Sequence, residues 1–246
     1  MLVSAEYPAE IVTGNREMAE AKKLAPYIVI EGMGGAGKTT QMKLAQKAYP
    51  DKTLIIREPG GTAFGEDLRR TFLAADYSVE LHPKSLILGM YAARNQLLHE
   101  VVLPTLHSGI TIISDRADAS TWAFQVFAQM SLQNDSNFWK FYQAISAGVY
   151  DGAVHPTDYI FYDLDPIKAK ERVYKALAGR LATGDIDQFD AQEAAFYKKT
   201  HEGYLDFFHH RMRLLHPEAS VHFVDASKSI EEVHACTLEI LEKIGV

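Results

Sequence analysis

Sulfur chemistry is almost missing from this chain: among 246 residues there is one cysteine, Cys236. A single thiol cannot close an internal disulfide, which suits a reducing compartment, and its place in an expected C-terminal helix marks it as packing rather than catalysis. Long apolar runs are also missing. No stretch approaches the ~20 residues that span a bilayer, so no membrane partner is expected. Excess positive charge is absent as well: 25 Lys and Arg stand against 32 Asp and Glu, for a net charge of -7. A nucleic-acid polymer is bound by clustered cations, so this balance argues against such a partner and leaves a small anionic ligand, held by a few local arginines. Residues 1–26 carry neither a basic n-region nor a continuous apolar stretch, and their acids argue against a transit peptide. A leader before a cytoplasmic domain is the expectation. Internal repeats and low-complexity tracts are lacking too.

What is there is ordinary for one large α/β domain, with 47% apolar and 23% charged residues. Apolar runs at 27–30, 53–56, 110–114, 159–162 and 221–224 are short and rich in β-branched or aromatic residues, and longer helical patterns separate them. Buried parallel strands read this way. Helices are predicted over 39–49, 65–75, 83–107, 118–130, 136–150, 166–179, 190–214 and 229–244, the last opened by Ser229 with Glu232 three residues on. The division is therefore a leader over 1–26 and one domain over 27–246.

Between the first strand and first helix stands "EGMGGAGKTTQ", residues 31–41. Gly32, Gly37, Lys38 and Thr39 fit G-x-x-x-x-G-K-[ST] in the strand-to-helix context the pattern requires. Gly32, Gly35 and Gly37 allow the tight turn whose N-H groups face phosphate oxygens, and the N-terminus of the following helix, at Thr39 and Thr40, adds its dipole. Lys38 would reach the outer phosphates, and the Thr39 hydroxyl would hold Mg²⁺. A plain glycine turn needs neither the lysine nor the threonine. The loop indicates ATP or GTP, yet kinases, ATPases and GTPases all use it.

Ligands of open α/β sheets sit at the carboxyl ends of the strands. There the chain places Arg57-Glu58-Pro59-Gly60-Gly61-Thr62 after strand 2, Asp115-Arg116 after strand 3 and Asp225-Ala226-Ser227 after strand 5. Two arginines beside a phosphate loop point to a second anion, since guanidinium binds phosphate in a bidentate manner. The segment over about 178–190, with two glycines and several small polar residues, reads as a lid between helices.

With these residues in view, "REPGGT" (57–62), "YAARNQL" (91–97), "DRADASTWAFQ" (115–125), "GDIDQFD" (184–190) and "VDA" (224–226) occur in an order that resembles the bacterial thymidylate kinases from about residue 27 onward. The resemblance implies a P-loop NTPase fold, a five-stranded parallel sheet with helices on both faces and a short lid. It further implies transfer of the γ-phosphoryl of MgATP to dTMP by a homodimer. By matching position, Arg57, Arg69 and Arg116 look like cations around the monophosphate, while Arg94 and Gln125 look like readers of the base edge. Ser120 and Thr121 resemble the hydroxyl residues beside the base, and Asp115 stands where a carboxylate organises Mg²⁺ and water. Arg180, with Lys175 behind it, resembles the lid cation; Asp225 and Ala226 resemble the turn that touches adenine.

The chain departs from the family pattern at several points. Gly34 stands where an acid usually holds the acceptor sugar, Met90 where an aromatic stacks on the base, and Ala117 and Gln188 where an aromatic or His and an Arg are common. "VFAQM" follows Gln125 in place of a glycine pair. Another nucleoside monophosphate is therefore an alternative acceptor. Two further readings are a nucleotide-binding regulator without transfer, which needs no converging arginines, and a deoxynucleoside kinase, in which Glu58 would be the base. Trp122 and Trp139 are expected to be packing aromatics, His209 and His210 a wet surface, and Asp163 and Asp165 caps of the helix opened by Pro166.

Overall fold

The computed structural model describes residues 24–73, 81–183 and 192–246, with the side chains of residues 73 and 177–183 outside that description. Its five strands are β1 (Tyr27–Glu31), β2 (Thr53–Arg57), β3 (Thr111–Asp115), β4 (Asp158–Asp163) and β5 (Ser220–Asp225). All pair in parallel, in the order β2-β3-β1-β4-β5, with Ile28 opposite Ile113 and Ile30 opposite Ile160. Every residue of β1 is buried. Because successive side chains point to opposite faces, this strand shows that helices cover both sides of the sheet. The outer strands β2 and β5 keep exposed positions, including Leu54 and Phe223.

The helices in chain order are α1 (Lys38–Ala48), α2 (Ala63–Leu73), α3 (Pro83–Leu97), α4 (Leu103–His107), α5 (Asp118–Thr121), α6 (Ser136–Tyr150), α7 (Pro166–Thr183), α8 (Ala194–Asp206), α9 (Met212–Leu215) and α10 (Ile230–Ile244). Three helices expected as single runs each contain a π-helical stretch. The run 83–107 passes from α3 to α4 through a π-helical stretch, Leu98–Val102; α5 continues as one over Trp122–Met130; α8 reaches α9 through one over Phe207–Arg211. The closing helix α10 carries the full reciprocal capping box of Ser229 and Glu232.

Packing explains most of the aromatic content. Trp122 meets Trp139 edge to face at 5.3 Å, and the Arg211 guanidinium lies over both rings. His209 and His210 are exposed, as expected. Of the two aspartates expected to cap α7, only Asp165 does so, accepting from the amides of Ile167 and Lys168 at 3.0 Å. Asp163 still belongs to β4, and its Oδ1 lies 2.7 Å from His201 Nε2. Helix α7 runs to Thr183 rather than stopping at 179. Of the expected leader, residues 24–26 pack at the edge of the core, where the Ala25 amide donates to Leu106 O at 3.3 Å. The other leader residues, the Arg180 side chain and lid residues 184–190 lie outside the described part.

Candidate active site

The strand order reverses direction at β1, whose carboxyl end lies between those of β3 and β4; this is the switch point where open α/β sheets bind ligands. The glycine loop leaves β1 there. Gly32 has φ 138, and a Cβ on it would come within 2.7 Å of Tyr162 O. Gly35, at φ 80, would meet Ala169 O at 2.6 Å. Backbone atoms cannot move aside as a flexible side chain can, so both positions require glycine. No side chain caps α1, whose N-cap is Gly37. Its first amides therefore face outward for an anion. Lys38 is buried along the loop, with Nζ donating to Gly32 O at 2.9 Å and Met33 O at 3.2 Å. Thr39 and Thr40 follow, exposed at the mouth.

Beside the loop opens a cavity of about 100 Å³. All nine residues assigned to the acceptor line it: Arg57, Glu58, Arg69, Met90, Arg94, Arg116, Ser120, Thr121 and Gln125. They arrive from the end of β2, from α2 and α3, from the end of β3, and from α5 and its π-helical continuation.

The four arginines are held differently. Arg94 is 2% exposed, and its Nε donates to Glu58 Oε2 at 2.6 Å while Nη2 donates to Thr121 Oγ1 at 3.2 Å. Its Nη1 is buried without a hydrogen-bond partner among the described residues. Glu58 is occupied on both oxygens, since Tyr27 OH donates to Oε1 at 3.2 Å. Burial pushes the Glu58 carboxyl above its ordinary range, and the Arg94 charge and hydrogen bond oppose the rise. Arg57 is half exposed and pairs with Glu66 at 2.8 Å; Arg69 donates to Pro59 O at 3.1 Å.

Arg116 sits at the centre with left-handed backbone, φ 75, which a residue with a Cβ seldom adopts. Its Nη1 lies 3.0 Å from Gly32 O, 2.9 Å from Ser120 Oγ and 2.7 Å from Tyr204 OH. Arg116 thus touches the glycine loop itself. Below it, Asp118 is fully buried, bonded to His216 Nε2 at 2.6 Å and Tyr159 OH at 2.7 Å, and this anchors α5.

Asp115 lines two spaces at once: the acceptor cavity, and an adjoining apolar cleft that Thr39 also lines. Its Oδ1 is buried without a hydrogen-bond partner among the described residues. An oxygen pair of hydroxyl and carboxylate beside a phosphate loop is a donor set suited to a hard cation such as Mg²⁺, with phosphates completing the shell. Among the described residues no group of three or more His, Cys, Asp or Glu could hold a metal alone. On the far side of the loop, Asp225 is exposed, and its carboxyl is held below its ordinary range by the Ser227 hydroxyl and amide. Ala226 is buried, its carbonyl accepting from Arg172 Nη1 at 3.0 Å.

Several residues of this site were not on the sequence-based list. Arg172 ties the Ala226 turn to Gly35 O, at 3.3 Å, from α7, and nothing in its local sequence separates it from a surface arginine. Phe124 lines the cavity one residue before Gln125, with the Arg116 guanidinium 5.3 Å from its ring. Tyr204 comes from α8 and becomes a neighbour only through the fold. Glu31 did leave a signal, a charged residue ending a wholly apolar strand.

A glycine loop with its lysine, opening onto a second cavity lined by arginines, defines a P-loop nucleotide-binding phosphotransferase. Comparison with known proteins narrows the class. The family model described as Thymidylate kinase matches residues 30–236. The thymidylate kinase of Pseudoalteromonas translucida is 34% identical over 218 residues, covering 87% of this chain and 94% of that one. That of Nitrosomonas europaea is 30% identical over 88% of this chain and 92% of its own, and that of Vibrio vulnificus 31% identical over 86% and 92%. The chain belongs to the thymidylate kinase family.

Proposed function

We propose that this protein transfers the γ-phosphoryl group of ATP to dTMP, giving dTDP and ADP by in-line displacement. The observation that carries the reading is the contact of Arg116 with Gly32 O, because it joins the arginine-lined cavity to the glycine loop. The acceptor is itself an anion whose phosphate oxygen is already a nucleophile, so the site requires alignment and charge balance rather than a general base. Glu58, closed off by Arg94 and Tyr27, suits that demand and speaks against a deoxynucleoside kinase. A regulator that only binds ATP would have no use for four arginines around one cavity.

In this reading Lys38 and the amides opening α1 hold the ATP phosphates, and the Asp225-Ala226 turn meets adenine. Arg57, Arg69 and Arg116 hold the monophosphate. The unpaired Nη1 of Arg94 and the Gln125 amide face the base edge, with Met90 and Phe124 as its apolar walls. Mg²⁺ held by Thr39 and Asp115 would neutralise charge growing between the phosphates. Residues 27–246 form one kinase domain. The 178–190 segment keeps its assignment as the lid, with Arg180 as its cation, and it excludes the water that would otherwise accept the phosphoryl group. A homodimer in the cytoplasm belongs to the same reading and rests on the family. Among the described residues no helix is long and apolar enough to cross a membrane.

The test is ADP release measured across all common ribo- and deoxynucleoside monophosphates, with thymidine as a neutral acceptor. Clear preference for dTMP is expected. Preference for another monophosphate would move the substrate to that nucleotide, as Gly34 and Met90 allow, and preference for thymidine would overturn the reading.

A further inference from the structure

Glu31 is the least expected charge in the molecule. It closes a strand whose other residues are Tyr, Ile, Val and Ile, and it is 0% exposed. Its Oε1 accepts the backbone amides of Ala117, at 2.8 Å, and Ser120, at 3.1 Å, while Ser120 Oγ donates to Oε2 at 2.6 Å. These partners lie 86 and 89 residues away. The N-cap of α5 is Ala117, which has no side chain able to cap, so Glu31 supplies the capping carboxylate from another strand. The segment it captures follows Arg116, whose backbone is held in the left-handed region and which therefore needs outside restraint.

The same carboxylate reaches the guanidinium. Arg116 Nη1 is 4.0 Å from Oε2, and Ser120 Oγ bridges them, 2.9 Å from the arginine. Tyr204 OH completes the cluster, 2.8 Å from Ser120 Oγ, and donates to Gly32 O at 3.3 Å. Glu31 and Gly32 are neighbours in the chain, so whatever shifts the glycine loop shifts the carboxylate that holds the clamp. Burial raises the Glu31 carboxyl above its ordinary range, opposed by the Arg116 charge, the Ser120 hydroxyl and the Ala117 amide.

We infer that Glu31 is a positioning residue for phosphoryl transfer: by holding Ala117, Ser120 and, through them, the Arg116 guanidinium, it locks the acceptor clamp to the first residue of the donor loop. Its place in catalysis rests on the phosphotransferase reading above. Glu31 touches neither nucleotide; it acts through Arg116. A misaligned clamp of about 1 Å costs on the order of 100-fold in rate.

The test combines Glu31→Gln with Arg116→Ala in a double-mutant cycle, with kcat and both KM values measured. Glu31→Gln is expected to lower kcat by about 100-fold, raise KM for dTMP and leave KM for ATP nearly unchanged. In the Arg116→Ala background the same change should cost almost nothing more. Losses that multiply, or equal effects on both substrates, would overturn the inference. If Glu31→Gln does not fold, Ser120→Ala removes the bridging hydroxyl, together with its contact to Tyr204, and carries the same cycle. Should the wild-type protein ignore dTMP, the dTMP assignment falls by itself, and the cycle is run with the acceptor it prefers. With no acceptor at all, crystal structures decide: Arg116 remaining on Gly32 O in Glu31→Gln would refute the positioning role.

Discussion

The two halves of the site, expected to hold the donor and acceptor phosphates, are built by different means. On the donor side, contacts come from a contiguous loop of backbone amides, two obligatory glycines and one lysine. On the acceptor side, four guanidinium groups arrive from four separate parts of the chain, and Arg94 is buried against a carboxylate. Amides carry no net charge and lose little when the ligand leaves. A buried guanidinium must keep a partner at all times, because an unpaired charge out of water costs several kcal/mol. The loop amides therefore need no carboxylate partner, and the loop's carbonyls hold Lys38, whereas the acceptor half comes with its own carboxylates, Glu58, Glu66 and Glu31, each placed beside an arginine.

That difference can be broken from either side. Lys38→Ala should abolish transfer, lowering kcat by about 10³-fold or more, since no other side chain from the loop carries charge to the transferring group; residual turnover within tenfold of wild type would contradict it. Arg116→Ala should come next, reducing kcat/KM for dTMP by about 10² to 10³-fold while nucleotide binding by ATP, followed calorimetrically, stays close to wild type. Equal loss for both ligands would merge the two halves into one. Glu58→Gln tests the buried pair through stability. Removing one partner costs about 3–5 kcal/mol, and for a chain of this size the melting temperature should fall by roughly 10 °C, recovered in part when Arg94→Met is added. The smallest effect is expected at Arg57. It is half exposed against Glu66, so Arg57→Ala should change stability by less than about 1 kcal/mol while still raising KM for dTMP.

The same contrast governs how much could be read without coordinates. Buried parallel strands are continuous apolar runs, so all five were placed to within one residue at each end, and the glycine loop is local enough to state its own geometry. Of the nine residues that share the cavity, Arg57, Glu58 and Arg116 stand at strand ends, and the other six were listed from their positions in motifs that resemble a known family. What escaped is what only the fold brings together. Glu31 caps a helix 86 residues on, Tyr204 meets Arg116 across 88, and Arg172 ties the Ala226 turn to the glycine loop. The π-helical stretches were read as plain helix, since the wider turn keeps apolar residues facing the same core and leaves no separate pattern. Asp163 and Asp165 look equivalent before a proline, and only the length of β4 distinguishes the strand residue from the cap.

The central claim is that ATP and dTMP lie end to end, one on the loop amides and the other on the guanidinium clamp. A dinucleotide joining adenosine and thymidine through a chain of phosphates tests it most directly, since linking two ligands that occupy adjoining sites makes the second contact intramolecular. The predicted result is competition with both ATP and dTMP, with affinity above either nucleotide alone and weakened by Lys38→Ala and by Arg116→Ala separately. Competition with only one of the two substrates, or indifference to either substitution, would contradict the account.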